Sequence, residues 1–244
     1  MPLILALDTT GEHGSLALLC GEPLAGRHCA SGAAACPDRP GSPVKGLPGE
    51  DLLEETRIHA PSGFSHLLYS QIEALLALHA VSLREIDCFA SASGPGAFTG
   101  VRVGLACVKG LAEALGRPAV AVSTLEALAR FGCAPLRGAV IDARRGDLYG
   151  AVYDAEGRSV TEEIVAAPSV WLASLPAGVE EFVTTGFPLA VDPPARVIVA
   201  PPAMAAQIAR IAAARLARGQ ACDPAALDAN YVRRADAELS WKEY

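Results

Sequence analysis

The chain is 244 residues long, 51% hydrophobic and of positive mean hydropathy, so it can bury one large core or two smaller ones. A formal charge of −7 argues against binding nucleic acid through phosphate neutralisation alone, while leaving room for a partner that brings the basic surface.

The N-terminal MPLILALDTT has no basic leader and meets Asp8 after a short apolar run, so no signal peptide is expected. LILALD (3–8) reads as a strand, TTGEHG as a turn and SLALL (15–19) as a returning strand. Residues 29–63, rich in Pro, Gly and Ala, lose periodicity and are expected to form an irregular insertion. Cys29 and Cys36 within it are read as incidental cysteines rather than a metal site. With Cys20, Cys88, Cys107, Cys133 and Cys222 they make an odd set lacking any C-x-x-C pair, which points to reduced thiols rather than a disulfide or zinc framework. SHLLYSQIEALLALHA (65–80) carries Leu68, Ile72, Leu75 and Leu76 at helical spacing, with Ser65 as N-cap.

IDCFASAS (86–93) is strand-like and leads into GPGAFTGVRVGLACVKGLAEALGRP (94–118); AVAVS (119–123) and TLEALARFG (124–132) follow as strand and helix. AVIDARRGDLYGAVYD (139–154) repeats the N-terminal order of apolar strand, Asp, turn and strand, with Asp142 answering Asp8. Beyond it, 161–217 is Pro- and Ala-rich with a helix at 204–219, and the tail is polar and charged. No uncharged run is long enough to span a bilayer, and a soluble cytoplasmic chain is expected.

The glycines of 94–110 fit neither the G-x-G-x-x-G fingerprint nor a P-loop, because their spacing is wrong and Lys109 is misplaced. On a helical wheel of 98–115, Val101, Leu105, Val108, Ala112 and Leu115 share one face. Gly100, Val103, Gly104, Cys107, Gly110 and Ala114 lie on the other, with Arg102, Lys109 and Glu113 on a narrow charged strip. Two readings stand side by side: a helix buried on both faces within its own domain, or one packed on the core by its bulky side and on a partner by its small side. The turn before it could also present free backbone N–H groups to an anion.

These segments, GPGAFTGVRVGLA and IDARRGDLYGAVYD above all, together with SHLLYSQIEALLALHAVSLREID and YVRRADAEL, resemble the TsaB (YeaZ) family in order and spacing. The resemblance implies an α/β, two-lobed actin-like ATPase (ASKHA, RNase H-like) fold with mixed sheets flanked by helices. The lobes would span 1–130 and 137–217, with a tail, 218–244, packing on the first. It also implies a noncatalytic partner of TsaD in forming threonylcarbamoyladenosine on tRNA. TsaE would join the assembled complex, tRNA would be reached through that complex, and the isolated chain would form a homodimer by the same helices.

The docking surface implied lies on 65–80 and 98–115: Leu68, Ile72, Gly100, Val103, Gly104, Cys107 and Gly110, rimmed by Arg102 and Lys109. Asp8, Thr9, Thr10 and Asp142 match hairpins that hold magnesium nucleotide in working ATPases of the superfold. Here the turn Ala143-Arg144-Arg145-Gly146-Asp147 is bulky and basic, so a vestigial site with no cofactor is favoured over an ATPase or kinase. A glycoprotease-type metallopeptidase needs a histidine pair one turn apart. His66 and His79 are thirteen apart, and His13, His28 and His59 are read as solvated turn or loop imidazoles, so no metal site is expected.

Overall fold

The computed structural model describes residues 2–20, 51–191 and 195–233; Cys29, Cys36, His28 and Arg234 lie outside them. Leu3–Asp8 (β1) and His13–Cys20 (β2) form an antiparallel hairpin whose residues are buried almost throughout. Side chains alternate across a strand, so Leu3, Leu5 and Leu7 enter one core layer and Ile4 and Ala6 another. A sheet covered on both faces gives the unbroken apolar run LILAL rather than alternation.

Asp51–His59 (β3) adds to β2, then Cys88–Ala92 (β4) and Ala119–Val122 (β5) extend the other edge in parallel, giving the order β3-β2-β1-β4-β5. The second sheet repeats that plan. Leu136–Arg144 (β6) and Asp147–Asp154 (β7) pair as a hairpin. Ile164–Ala166 (β8) adds antiparallel to β7, while Glu181–Thr184 (β9) and Arg196–Val199 (β10) run parallel beyond β6. Its order, β8-β7-β6-β9-β10, matches the first strand for strand. The repeat of Asp8 and Asp142 is therefore a repeat of a whole sheet.

Leu68–Leu78 (α1) and Phe98–Leu115 (α2) cover one face of the first sheet. Thr124–Ala129 (α3), capped by Ser123 Oγ, leads into the second sheet and packs with Met204 over β6, β7 and β9. Pro168–Ala173 (α4) places Trp171 over Gly138 and Gly150, where any Cβ would collide with the indole. Ala205–Ala217 (α5) lies on the far face of the first sheet. Its first amides donate to Ser15 Oγ, from Met204 and Ala205 at 3.1 and 3.0 Å, and to Glu55 Oε1, from Ala206 at 2.8 Å.

Three expectations need correction. The tract 29–63 contains β3, whose Leu52 and Glu55 face α5 and whose Ile58 enters the core beneath α1, a half-buried strand that the proline-rich lead-in obscured. The division at 130/137 assigns α3 to the first lobe and α5 to the second, yet each packs on the other sheet, because short connections let helices cross between adjacent layers. Helix α1 begins at Leu68 rather than after Ser65, since Phe64 carries a turn whose carbonyl accepts from Leu67 and Leu68 N–H.

Candidate functional site

The loop after β1 turns on Asp8, Thr9 and Thr10, all at most 4% exposed. Asp8 Oδ1 accepts from the Thr10 N–H at 2.9 Å and the Thr10 hydroxyl at 2.7 Å, while Oδ2 has no hydrogen-bond partner among the described residues. Burial raises the Asp8 carboxyl above its ordinary value, outweighing the two Thr10 bonds that lower it.

Helix α2 starts directly on this turn. The Thr9 hydroxyl donates to Gly100 O at 2.7 Å, and the Ala97 N–H donates to Thr10 O at 2.7 Å. A Cβ on Gly100 would overlap the Thr9 carbonyl; one on Gly96 would come within 2.7 Å of Thr10; one on Gly104 would strike the Thr9 hydroxyl and Ser91. The glycine-rich stretch is thus a seat for the chain's own first turn, and the Ala97 N–H that might have met an anion is already bonded.

The loop after β6 is built otherwise. Arg145 and Gly146, at φ 59° and 85°, make a two-residue hairpin turn with both residues left-handed, and Arg144 at φ 65° precedes it as an irregularity. Asp142 is exposed: its Oδ1 accepts from the Arg144 N–H at 2.7 Å, and its Oδ2 lies 3.5 Å from the Arg144 guanidinium. Arg233 donates to Ala143 O at 2.9 Å and pairs closely with Asp147, so it anchors to this hairpin rather than standing in a solvated tail.

Both hairpins line one cleft of about 1040 Å³. At its rim the Arg102 guanidinium lies 3.8 Å from the Phe98 ring centre and donates to the Tyr231 hydroxyl at 2.8 Å. Glu163 accepts from the hydroxyls of Ser123 and Tyr153 and from Asn230 Nδ2, while Asn230 N–H donates to Ser93 O; the tail thus ties the two sheets together.

Asp8, Thr10 and Asp142 therefore meet at one cleft, while Thr9 turns under α2 instead, and the magnesium-nucleotide arrangement can be tested against them. The first hairpin offers an unpaired buried carboxylate oxygen. The second offers guanidinium-paired Asp142 and two arginine side chains where a phosphate-cradling turn needs bare backbone amides. The residues do not fit that group.

Of the residues expected at a partner surface, Leu68, Ile72, Gly100, Gly104 and Cys107 are buried inside the chain. Burial pushes the Cys107 thiol up to about 11. Their small size serves internal close packing, which a wheel cannot tell from an intermolecular one. Arg102, Val103, Lys109 and Gly110 remain fully or partly accessible; a Cβ on Gly110 would meet open space. Beside them Ala106 and Ala114 are exposed, as are Tyr69 (55%), Leu78 (70%) and Phe98 (42%). The wheel placed Gly110 and Ala114 beside Gly104, but only the neighbouring elements decide where the accessible sector begins.

Two sheets of one topology, joined around a cleft, define a duplicated actin-like, RNase H-like α/β protein. The family model described as TsaD, tRNA N6-adenosine threonylcarbamoyltransferase, matches residues 59–215. A curated relative, the tRNA threonylcarbamoyladenosine biosynthesis protein TsaB of Escherichia coli K12, is 31% identical over 52% of this chain and 58% of its own. The TsaB of Bacillus subtilis 168 is 42% identical over 34% of this chain and 36% of its own. The match thus spans between about a third and three-fifths of those relatives' length. A solved Pseudomonas aeruginosa structure, YeaZ, superposes with a TM-score of 0.71 at 27% identity, covering 95% of this chain and all of that one. The chain belongs to the TsaD family, within its TsaB (YeaZ) group.

Proposed function

We propose that this chain is a noncatalytic partner of a TsaD-type transferase in forming threonylcarbamoyladenosine on tRNA. It would dock through the accessible side of α1 and α2, with TsaE joining the assembly and tRNA reached through it in the cytoplasm. The observation that carries this reading is a stripe along α2: Arg102, Ala106, Gly110 and Ala114, four residues apart and all exposed, flanked by Val103 and Lys109 and by the exposed Tyr69 of α1, which meets Cys107. Small residues at that interval let a second helix approach closely, and the flanking apolar groups supply area to bury. The ill-matched second hairpin supports a supporting rather than a catalytic role. Lacking its partner, the same face would pair with a second copy.

The test is co-expression with the cognate TsaD followed by sizing. Gly110→Leu and Ala106→Glu fill or charge open positions of α2, so both variants should stay folded yet lose the complex and the homodimer. Co-elution of both with TsaD at the wild-type level would refute the docking face. Failure of the wild-type chain to bind TsaD would refute the functional reading itself.

A further inference from the structure

His13 opens β2 and His59 closes β3, where they sit directly opposite in the antiparallel register. The sequence separates them by 46 positions and places both in turn or loop; the pairing brings two exposed imidazoles onto one face of the sheet edge. Their Nδ1 atoms lie 3.4 Å apart, with ring centroids at 5.3 Å and planes tilted by 35°.

That separation is informative. It admits a long hydrogen bond when one ring carries its proton on Nδ1, and it equally admits a ligand shared by both Nδ1 atoms. Two nitrogens bound at the tetrahedral angle to zinc, each roughly 2.0–2.1 Å from it, stand about 3.3–3.4 Å apart.

We propose that His13 and His59 form a two-imidazole site for a divalent metal ion of zinc type, bound through both Nδ1 atoms at the mouth of the cleft. Binding requires the tautomer with each proton on Nε2, which exposed rings can adopt freely. No third His, Cys, Asp or Glu joins them among the described residues, so the other coordination positions are open to water or to an oxygen donor entering from the cleft, which His13 also lines. The ion would cross-link β2 to the edge strand β3. It owes nothing to the docking surface, so the two ideas fail separately.

The experiment is calorimetric titration of the tag-free full chain with zinc chloride, in a Cys133→Ser background that removes the exposed thiol among the described residues. One ion per chain is expected, with a rise in thermal midpoint. His13→Ala and His59→Ala should each weaken binding about tenfold or more, because the second imidazole then no longer acts at a high effective concentration. Both are exposed positions, and circular dichroism checks that the variants fold. Absence of zinc binding by the parent chain overturns the proposal, and so does undiminished binding by the double variant, which would place the ion elsewhere.

Discussion

In the first hairpin Asp8 is 1% exposed, one oxygen is held by Thr10, the other has no partner among the described residues, and α2 with its lead-in presses on the turn through Gly96, Gly100 and Gly104. In the second, Asp142 is exposed, paired with Arg144, and followed by two non-glycine residues in left-handed conformation. The strands that carry them are connected identically, so topology has been kept while the chemistry of the turns has parted. The first turn is fixed by packing and retains a costly buried carboxylate. The second is held by local ion pairs and by Arg233 from the tail. A fold can hence preserve the place of a site in both halves without preserving the means to bind the same group there.

The largest effect should separate the glycines that seat the first turn from the one that does not. Gly100→Ala drives a methyl into the Thr9 carbonyl, and backbone cannot swing away, so a loss of about 3 kcal/mol or more is expected. Gly110→Ala, in open space on the same helix, should instead stabilise by roughly 0.5–1 kcal/mol. Chemical denaturation of the pair measures the contrast; equal effects would mean that α2 does not rest on the turn.

A smaller difference is expected between the aspartates. Burial holds the folded-state Asp8 carboxyl above its unfolded value, so the fold binds that proton more tightly. Its contribution is complete below the unfolded value, near 3.9, and is lost as pH rises through the folded one. Asp8→Asn keeps an acceptor for Thr10 and removes the charge, so it should stabilise by about 1–2 kcal/mol at pH 7, with the gain shrinking toward pH 4. Asp142→Asn, exposed, should stay within about 0.5 kcal/mol at every pH. Denaturation midpoints from pH 4 to 8 report both, and a flat difference curve for Asp8→Asn would contradict the desolvation argument.

The smallest effect concerns strain in the second hairpin. Arg145→Asn suits the left-handed first position of its turn and should raise stability by roughly 0.5 kcal/mol, visible as a small rise in thermal midpoint. An equal gain from Thr10→Asn in the first hairpin would erase the distinction between a packed turn and a strained one.

Much of this was legible beforehand. β1 and α2 fall where apolar period and turn chemistry put them, 3–8 and 98–115, and Asp142 was matched to Asp8 from the pattern alone. The strands β8, β9 and β10 were missed because three- and four-residue elements inside a Pro- and Ala-rich stretch carry too little periodicity to register. Of the expected docking residues, Gly110 stayed open to solvent while Gly100 and Gly104 did not. All three glycines look alike to a wheel, which contains the helix and none of its neighbours.

Local order was therefore written in the chain itself: strand–Asp–turn–strand twice over, and a long helix after Gly96. These depend on side-chain period and on backbone freedom, both properties of adjacent residues. Tertiary packing alone decided that α3 and α5 exchange sheets, that His13 faces His59, and which side of α2 is free. Each of those outcomes depends on contacts between segments far apart in sequence, and no local propensity carries that information.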